Sequence, residues 1–548
     1  MNNQILRIIP LGGVGEIGKN MTAIEYGNRI LIVDTGIMFP ENDMLGIDYI
    51  IPDFQYLRDK ADRVEGIVIT HGHEDHTGAL AHVLQEINAP VYATPLTRGL
   101  IDVKLARRGA PKNVKLNTVN VGDTLRLGLF TVELFHVCHS IPDAVGLAID
   151  TPAGLIVHSG DYKFDHTPVD GWATDFAKLG ELAGRGVLAL LADSTNADKT
   201  GWTPSERVIE PALEQVFRQA EGRILIATFA SLISRMQQVA NVTARLGRKL
   251  SFVGTSMREN AKMARNLGYL DIPEELLVST DQALKMPANQ VVLMCTGSQG
   301  EPSSIMGRLS TGRNRLFSVE EGDTIVLSSH PIPGNEETVY RTINRLFQRG
   351  AEVIYDPIAP VHVSGHASQE EMKLLIQLLR PKYLIPVHGE LRHLRQHRNL
   401  AMEVGVPAEN IAVIENGQVV EFEDGVMRMG ERVPGGYVFV DGSGVGDVVP
   451  SVVRERERLA EDGVVVVNVV LDKFTGEPVE KSPVIQTHGF VYEREASELL
   501  EAIEDEVRAA LKRNLNGGME RYLEDRLSGF LYRETQRRPV LFVNVQKM

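Results

Sequence analysis

The sequence predicts a multidomain α/β protein: packed sheets flanked by helices, interrupted by a parallel α/β layer and followed by a small α+β unit. Three observations carry this prediction. The chain has 548 residues, more than one hydrophobic core organises, and such lengths divide into about three or four units. From Ile5 to about Pro152, Val- and Ile-rich runs alternate with turn residues, as strands of packed sheets do. From Pro204 to about Asp356, segments of helical period alternate with short apolar runs, the pattern of a parallel sheet covered by helices.

The first unit is expected to span 1–203. Its strands read as ILRIIPL, MTAIEY, RILIVDTG, EGIVITHGH, APVYAT, FTVELFHV, VGLAID, LIVHSGD and VLALLADST, with short helical stretches such as HTGALAHVLQEI between them. The α/β layer, 204–356, pairs helices such as SRMQQVANVTARLG and TVYRTINRLFQRG with strands such as RILIATF, QVVLMCTG and DTIVLSS. Residues 357–425 return to the character of the first unit and end on a strand from Ile414 to Phe422, so the α/β layer reads as an insertion. Glycines around Gly435–Gly436 and Gly442–Gly446, then the charged run Glu455–Arg458, mark 426–462 as a linker. The last unit, 463–548, combines the strands VVVVNVVL, VIQTHGFVY and VLFVNV with a helix on which Leu499, Leu500, Ile503, Val507 and Leu511 recur at helical spacing.

Hydrophobic residues at 43% and charged residues at 24% describe a soluble, ordered chain. No stretch reaches the roughly 18 to 20 apolar residues of a membrane helix, and no basic flank precedes an apolar run at the N-terminus, so a cytoplasmic protein without membrane contact is expected. Cys138 and Cys295 are the only cysteines, too few for a thiolate zinc site or a disulfide framework. Any metal must therefore be held by imidazole and carboxylate. The net charge of -15 speaks against a polyanionic partner. Local basic clusters at Lys104–Arg107–Arg108–Lys112–Lys115, Arg245–Arg248–Lys249, Arg258–Lys262–Arg265 and Arg392–Arg395–Arg398 nevertheless permit a basic channel, although each alone reads as a solvated helix face.

The motif that carries chemistry is His71-Gly72-His73-Glu74-Asp75-His76, directly after the apolar run EGIVIT, at a strand end where side chains project into a shared opening. A polar surface loop is the plain alternative, and the density of ligand-type side chains argues against it. Neutral imidazoles with carboxylates suit zinc, manganese or iron. A second motif, Gly13-Val14-Gly15-Glu16-Ile17-Gly18, fits the dinucleotide fingerprint, but the segment after it is another strand, so no helix N-terminus is available for a pyrophosphate. These glycines are expected to form a tight turn beside the metal site.

The H-x-H-x-D-H signature resembles that of the metallo-β-lactamase superfamily, which implies an αββα sandwich with further ligands at later strand ends. The resemblance implies two divalent cations, Zn2+ or Mn2+, one held by His71, His73 and His139 and the other by Asp75, His76 and His388, with Asp161 bridging both. Such a pair would generate hydroxide at neutral pH and neutralise a phosphodiester oxygen. Asp34, closing RILIVD, resembles the family's buried carboxylate that orients a ligand histidine. His136 and His158 sit inside strands and read as packed or supporting residues, and Cys138 as a small apolar strand residue.

The unit inserted between Asp161 and His388 resembles the β-CASP group of that superfamily, whose members act on RNA or DNA. Asp193 in LLADSTN, His366 in HVSGHAS and His388 in PVHGE follow in the group's order. Together, GGVGEIGKNM, VDTGIMFPE, THGHEDHTGAL, HSIPDA, SGDYKFD, DSTNA, HVSGHAS and PVHGE resemble ribonuclease J along the whole chain. That resemblance implies RNA processing and decay by 5′-to-3′ exonuclease and endonuclease action on single-stranded RNA with a 5′-monophosphate. Catalysis would fall to His366, Asp193 and Asp75, with His366 protonating the leaving sugar oxygen and Asp193 orienting it and raising its pKa. Hydroxyls, an imidazole and glycine-exposed amides in His362, Val363, Ser364, Gly365 and His366 suit an anion nest, which Ser329 would join. Ser231, Leu232 and Ile233 would contact RNA. The resemblance further allows a structural cation near Asp48 and Asp441, homodimer or homotetramer assembly through the last unit, and association with other RNA-decay proteins. The rival readings are a β-CASP DNA repair nuclease, a small-molecule thioesterase and a non-catalytic RNA-processing scaffold. A thioesterase has no use for the insertion, and a scaffold would not keep a full ligand set.

Overall fold

The computed structural model describes residues 5–548 apart from 109–110, 112, 476, 480–481, 493–495 and 513–517. Lys112 of the first basic cluster thus lies outside the described residues, as does the side chain of Arg108. Two compact units make up the chain: Met1–Phe39 with Tyr49–Val438, and Pro40–Asp48 with Phe439–Met548.

In the larger unit two sheets face each other. One has eight strands, ordered Val426–Arg432, Gln418–Glu423, Leu6–Gly12, Met21–Tyr26, Arg29–Val33, Val64–Val68, Val91–Ala93 and Leu116–Thr118. The other has six, ordered Tyr383–Val387, Val187–Asp193, Gly154–His158, Val145–Thr151, Phe130–His136 and Thr124–Leu127. Successive strand side chains point to opposite faces. Leu6, Ile8, Ile24, Leu31 and Val33 of the first sheet therefore share one core with Val132, Leu134, Leu147, Leu191 and Ile385 of the second. The far face of the second sheet, with Phe135, Ala148, Val157 and Leu190, packs on helices Phe176–Arg185, Gln369–Leu379 and Leu391–Glu403.

Strands Val187–Asp193 and Tyr383–Val387 are parallel neighbours, although nearly two hundred residues separate them in the chain. Most of that interval folds around a separate five-stranded parallel sheet, ordered Lys249–Phe252, Val291–Cys295, Ile224–Ala227, Thr324–Leu327 and Glu352–Ile354. Ile224, Ile226, Val292 and Met294 pack towards helices Ile209–Gln219, Ile233–Arg245 and Thr255–Asn266, whereas Leu225, Ala227, Leu293 and Cys295 pack towards Ile305–Thr311 and Glu336–Gln348. Burial on both faces is why these strands read as unbroken apolar runs.

The smaller unit holds a three-stranded sheet with Val464–Leu471 at its centre, antiparallel to Val484–His488 and parallel to Val540–Lys547. Val465, Val467 and Val469 bury against Ile503 and Val507 of helix Ser497–Leu511 and against Leu523, Leu527 and Leu531 of helix Met519–Thr535. The sequence reading anticipated only the first of these helices; the charges between the leucines of the second, in ERYLEDRLSGF, obscured its period. The stretch 426–462, read as a linker, also differs from expectation. It carries the strand Val426–Arg432, paired with Gln418–Glu423, and the charged helix Pro450–Asp462, its glycines serving the turns between them.

Candidate metal centre

The candidate ligands sit at strand ends along one edge of the two facing sheets. Asp34 follows Arg29–Val33, the His71–His76 motif follows Val64–Val68, His139 follows Phe130–His136, Asp161 follows Gly154–His158, and His388 follows Tyr383–Val387. The motif is pinned by its own backbone: Asn20 N donates to Asp75 O at 2.9 Å, Thr35 N to His76 O at 2.8 Å and Ile37 N to Glu74 O at 3.0 Å. Gly36 allows this approach, since a Cβ there would lie 1.5 Å from Asp75 O. The glycines of the GVGEIG segment serve the same edge. Gly13, at φ 82°, accepts from His388 N at 2.6 Å, and Val14–Gly15 pairs with Gly389–Glu390, a tight turn beside the cluster as expected.

Ligand-type side chains form three groups among the described residues; Asp161, Asp193, His366 and His388 make up one, and the other two are the expected sets. In the first of these sets, His73 Nδ1 lies 3.1 Å from both His71 Nε2 and His139 Nε2. In the second, Asp75 Oδ2 lies 3.6 Å from His76 Nε2 and 3.4 Å from His388 Nε2. Asp161 Oδ2 reaches towards both, 3.1 Å from His76 Nε2, 3.6 Å from His71 Nε2 and 3.8 Å from His139 Nε2. Supporting bonds orient the rings. His76 Nδ1 meets Asp34 Oδ2 at 2.7 Å, while Thr70 donates from N and Oγ1 to the same carboxylate, each at 2.8 Å. His139 Nδ1 meets Gly365 O at 2.8 Å, which turns its Nε2 lone pair to the cluster. A Cβ on Gly365 would stand 2.7 Å from that imidazole.

The ligand atoms of each group lie within 4.8 Å of one another. Asp161 Oδ2 and His388 Nε2 are buried without a hydrogen-bond partner, an arrangement that costs stability unless something positive sits between them. Burial pushes His71 and His139 well below the ordinary imidazole range and His73 down to about 4, so these three are neutral and can offer lone pairs. Burial acts the same way on His76 and His388, but Asp161 and Asp75 outweigh it, holding His76 well above its usual value and His388 up at about 10. In return these imidazoles hold both carboxylates low against burial. Imidazole and carboxylate donors without thiolate fit zinc or manganese.

Beside the cluster, His366 Nδ1 meets Asp193 Oδ2 at 2.8 Å and lies 4.0 Å from Asp161 Oδ2. Burial lowers its affinity for a proton, and the Asp193 carboxylate more than restores it, leaving the pKa raised. Thr195 donates to Asp193 Oδ1 from N and Oγ1, at 2.9 and 2.8 Å. The loop carrying His366 is anchored by Glu371, which accepts from Phe164 N and Thr203 N at 2.7 Å and from Ser368 N at 2.8 Å.

The expected substrate contacts divide. Ser364 Oγ, within the same loop, accepts from Asn196 Nδ2 at 2.8 Å. Val363, Leu232 and Ile233 are buried, the last in the core of the inserted layer, so only Ser231 of its trio presents a partly open side chain. His362 is half-buried beside His330, their ring centroids 4.6 Å apart, and Ser329 bonds to the loop at Ser298 and Gln299. Asp441 pairs with Arg456 at 2.7 Å and Asp48 accepts from Gly442 N at 2.8 Å; neither joins a group of three or more ligand-type residues among the described residues. His158 bonds Gly160 N at 3.0 Å through its ring, and Cys138 is buried, as expected. Sequence reasoning missed Asn20, Thr70, Gly36 and Glu371.

Comparison with known proteins bears on what this cluster serves. Residues 14–203 match the metallo-β-lactamase superfamily, 221–346 the β-CASP domain of ribonuclease J, 350–412 the Zn-dependent metallo-hydrolase RNA specificity domain, and 451–548 the ribonuclease J C-terminal domain. The chain is 41% identical over 546 residues to ribonuclease J2 of Bacillus subtilis, covering 98% of each. It belongs to the ribonuclease J family. Other members of that family include ribonuclease J 1 of Streptococcus pyogenes, 40% identical over 97% of this chain and 96% of that one, and ribonuclease J of Synechocystis sp., 44% identical over 86% of this chain and 73% of that one. A crystal structure of a protein of unknown function from Enterococcus faecalis aligns with a TM-score of 0.55 at 15% identity, over 76% of this chain and 100% of that one, which bears on the fold alone. The facing sheets, the inserted parallel layer and the last unit are thus the metallo-β-lactamase, β-CASP and C-terminal domains of a ribonuclease J family member.

Proposed function

We propose that this chain hydrolyses phosphodiester bonds of single-stranded RNA with two divalent cations, acting 5′-to-3′ from a 5′-monophosphate and also internally. Membership of the ribonuclease J family makes it a metal-dependent ribonuclease. The observation that carries the finer reading is the carboxylate of Asp161, whose Oδ2 faces both ligand groups and has no hydrogen bond. His71, His73 and His139 would hold one cation and Asp75, His76 and His388 the other, with Asp161 shared. Bound there, the cations supply hydroxide at neutral pH and neutralise a phosphodiester oxygen.

The chain's own residues do the rest. Asp193 holds His366 through Nδ1, which leaves Nε2 as the atom that gives its proton to the departing sugar oxygen. The P–O3′ bond breaks, one product ends in a 3′-hydroxyl and the other begins with a 5′-phosphate. Ser364, with Asn196 bonded to it, supplies hydroxyl and amide groups within two residues of His366, which supports a terminal phosphate bound nearby. The RNA specificity domain match favours RNA over DNA. A cytoplasmic site of action accords with two buried, free cysteines.

The test is digestion of matched 5′-monophosphate and 5′-triphosphate RNAs, and of the equivalent DNA, with chelated and remetallated enzyme. Chelation should stop cleavage, remetallation restore it, and the monophosphate RNA be consumed fastest. Equal rates on both RNA ends would remove the end preference, and faster cleavage of DNA would overturn the substrate.

A further inference from the structure

Glu371 is fully buried, and its carboxylate bonds backbone N–H groups of three separate segments. Oε1 accepts from Phe164 N at 2.7 Å, while Oε2 accepts from Thr203 N at 2.7 Å and from Ser368 N at 2.8 Å. Only the bond to Ser368 belongs to a helix start, where a glutamate in the third helical position reaches back to the capping residue. Such a glutamate ordinarily stays in solvent. The other two bonds cross 207 and 168 residues of sequence. Taking an ionised carboxylate out of water is costly unless its lone pairs are met, and capping one helix does not require it.

The three segments are those that set the acid against the shared carboxylate. Phe164 lies three residues after Asp161, Thr203 stands where the chain leaves the first domain for the insertion, and Ser368 lies two residues after His366. The same segments close around the His366 carbonyl, which accepts from Thr203 Oγ1 at 2.7 Å and from Asn196 Nδ2 at 3.1 Å. Thr203 Oγ1 also meets Ser368 Oγ at 2.9 Å. His366 is thus held by its backbone through this assembly and by its ring through Asp193, with Nδ1 4.0 Å from Asp161 Oδ2.

We propose that Glu371 is a positioning residue for the general acid: by tying Phe164, Thr203 and Ser368 together, it fixes His366 against Asp161 and hence against the departing sugar oxygen. The proposal rests on the reading of His366 as the acid of RNA cleavage. Glu371 itself does not touch the reacting atoms.

Glutamine in its place is the test, since an amide has one acceptor oxygen and its NH2 group would face at least one of the three N–H groups. Misplacing a reacting group by about 1 Å costs on the order of 10²-fold in rate. The readout is a pair of RNAs identical except that sulfur replaces O3′ at the scissile linkage. Hydroxide forms the new P–O bond in both; in the second, the P–S3′ bond breaks and a thiolate departs without needing a proton. Compared with wild type on the same linkage, Glu371→Gln should lower kcat on the oxygen RNA about 10²-fold, with KM and bound metal within about twofold, and on the sulfur RNA less than about threefold. His366→Ala should show the same contrast. An equal loss on both linkages would make Glu371 a structural residue only and overturn the proposal, as would an unchanged rate on the oxygen RNA. Should Glu371→Gln fail to fold, Glu371→Asp, which keeps both oxygens on a shorter stem, carries the same comparison with about tenfold expected on the oxygen RNA. Wild-type enzyme that cut neither RNA would reject the ribonuclease reading. Wild-type cleavage of both, with the contrast present in His366→Ala and absent from the Glu371 variants, would reject the role of Glu371 alone.

Discussion

A single carboxylate sets the state of the second ligand group. Asp34 takes Nδ1 of His76 and both donors of Thr70, so the imidazole presents Nε2 to the cluster in one orientation. Replacing Asp34 with Ala should weaken metal binding about 10- to 100-fold, read by calorimetric titration of apoenzyme. His366→Ala should slow single-turnover cleavage about 10²-fold or more while RNA is still bound; loss of binding at an unchanged single-turnover rate would make His366 a phosphate ligand instead. Protons compete with cations here, since His76 and His388 carry raised pKa values in the metal-free protein, His388 at about 10. Metal affinity should therefore rise from pH 6 to pH 8, with protons released on binding. Most of these residues were legible in the sequence because imidazole and carboxylate crowd into His71–His76, and resemblance supplied His139, Asp161 and His388. Thr70 and Asn20 were not, because a threonine or asparagine acquires a role only from what folding sets beside it.

Among the elements, close backbone approaches decide the geometry. Gly36 lets the strand extension after Val33 lie against Asp75 O, and Gly36→Ala should cost about 1–3 kcal/mol or more by overpacking and release bound metal, read by calorimetry and metal content. The parallel layer of the insertion was legible because burial on both faces writes apolar runs into the chain, as in ILIA at Ile224–Ala227. The same burial hides the side chains of Leu232 and Ile233, so an RNA contact at that turn would fall to Ser231 and backbone amides; a core residue and an apolar binding residue look alike in one dimension. Helix Met519–Thr535 escaped notice because Leu523, Leu527 and Leu531 form a narrow stripe in a strongly charged segment.

Across the molecule, pH and assembly are the levers. His397 is buried with Nδ1 2.9 Å from Ser194 Oγ, and burial lowers its pKa to about 4. The unfolded chain, near 6.5 at this group, takes up the proton first as pH falls, so stability is fully present above about 6.5 and is lost towards about 4. His397→Gln should flatten that loss by on the order of 3 kcal/mol, read by thermal unfolding against pH. In the smaller unit, Phe542 at 46% and Val484 at 45% exposure lie on the sheet face opposite the helices. A chain cut after Asp447 should assemble into fewer subunits than the full chain, read from its mass in solution; an unchanged number of subunits would remove the C-terminal domain from assembly.

The pairing of Val187–Asp193 with Tyr383–Val387 also bears on synthesis. A nascent chain that has emerged only through Asp193 already holds His71, His73, Asp75, His76, His139 and Asp161, but neither His366 nor His388 has been made. With His388 proposed as a metal ligand and His366 as the acid, such a partial chain would lack both groups, and cleaving power would be withheld until most of the message is translated.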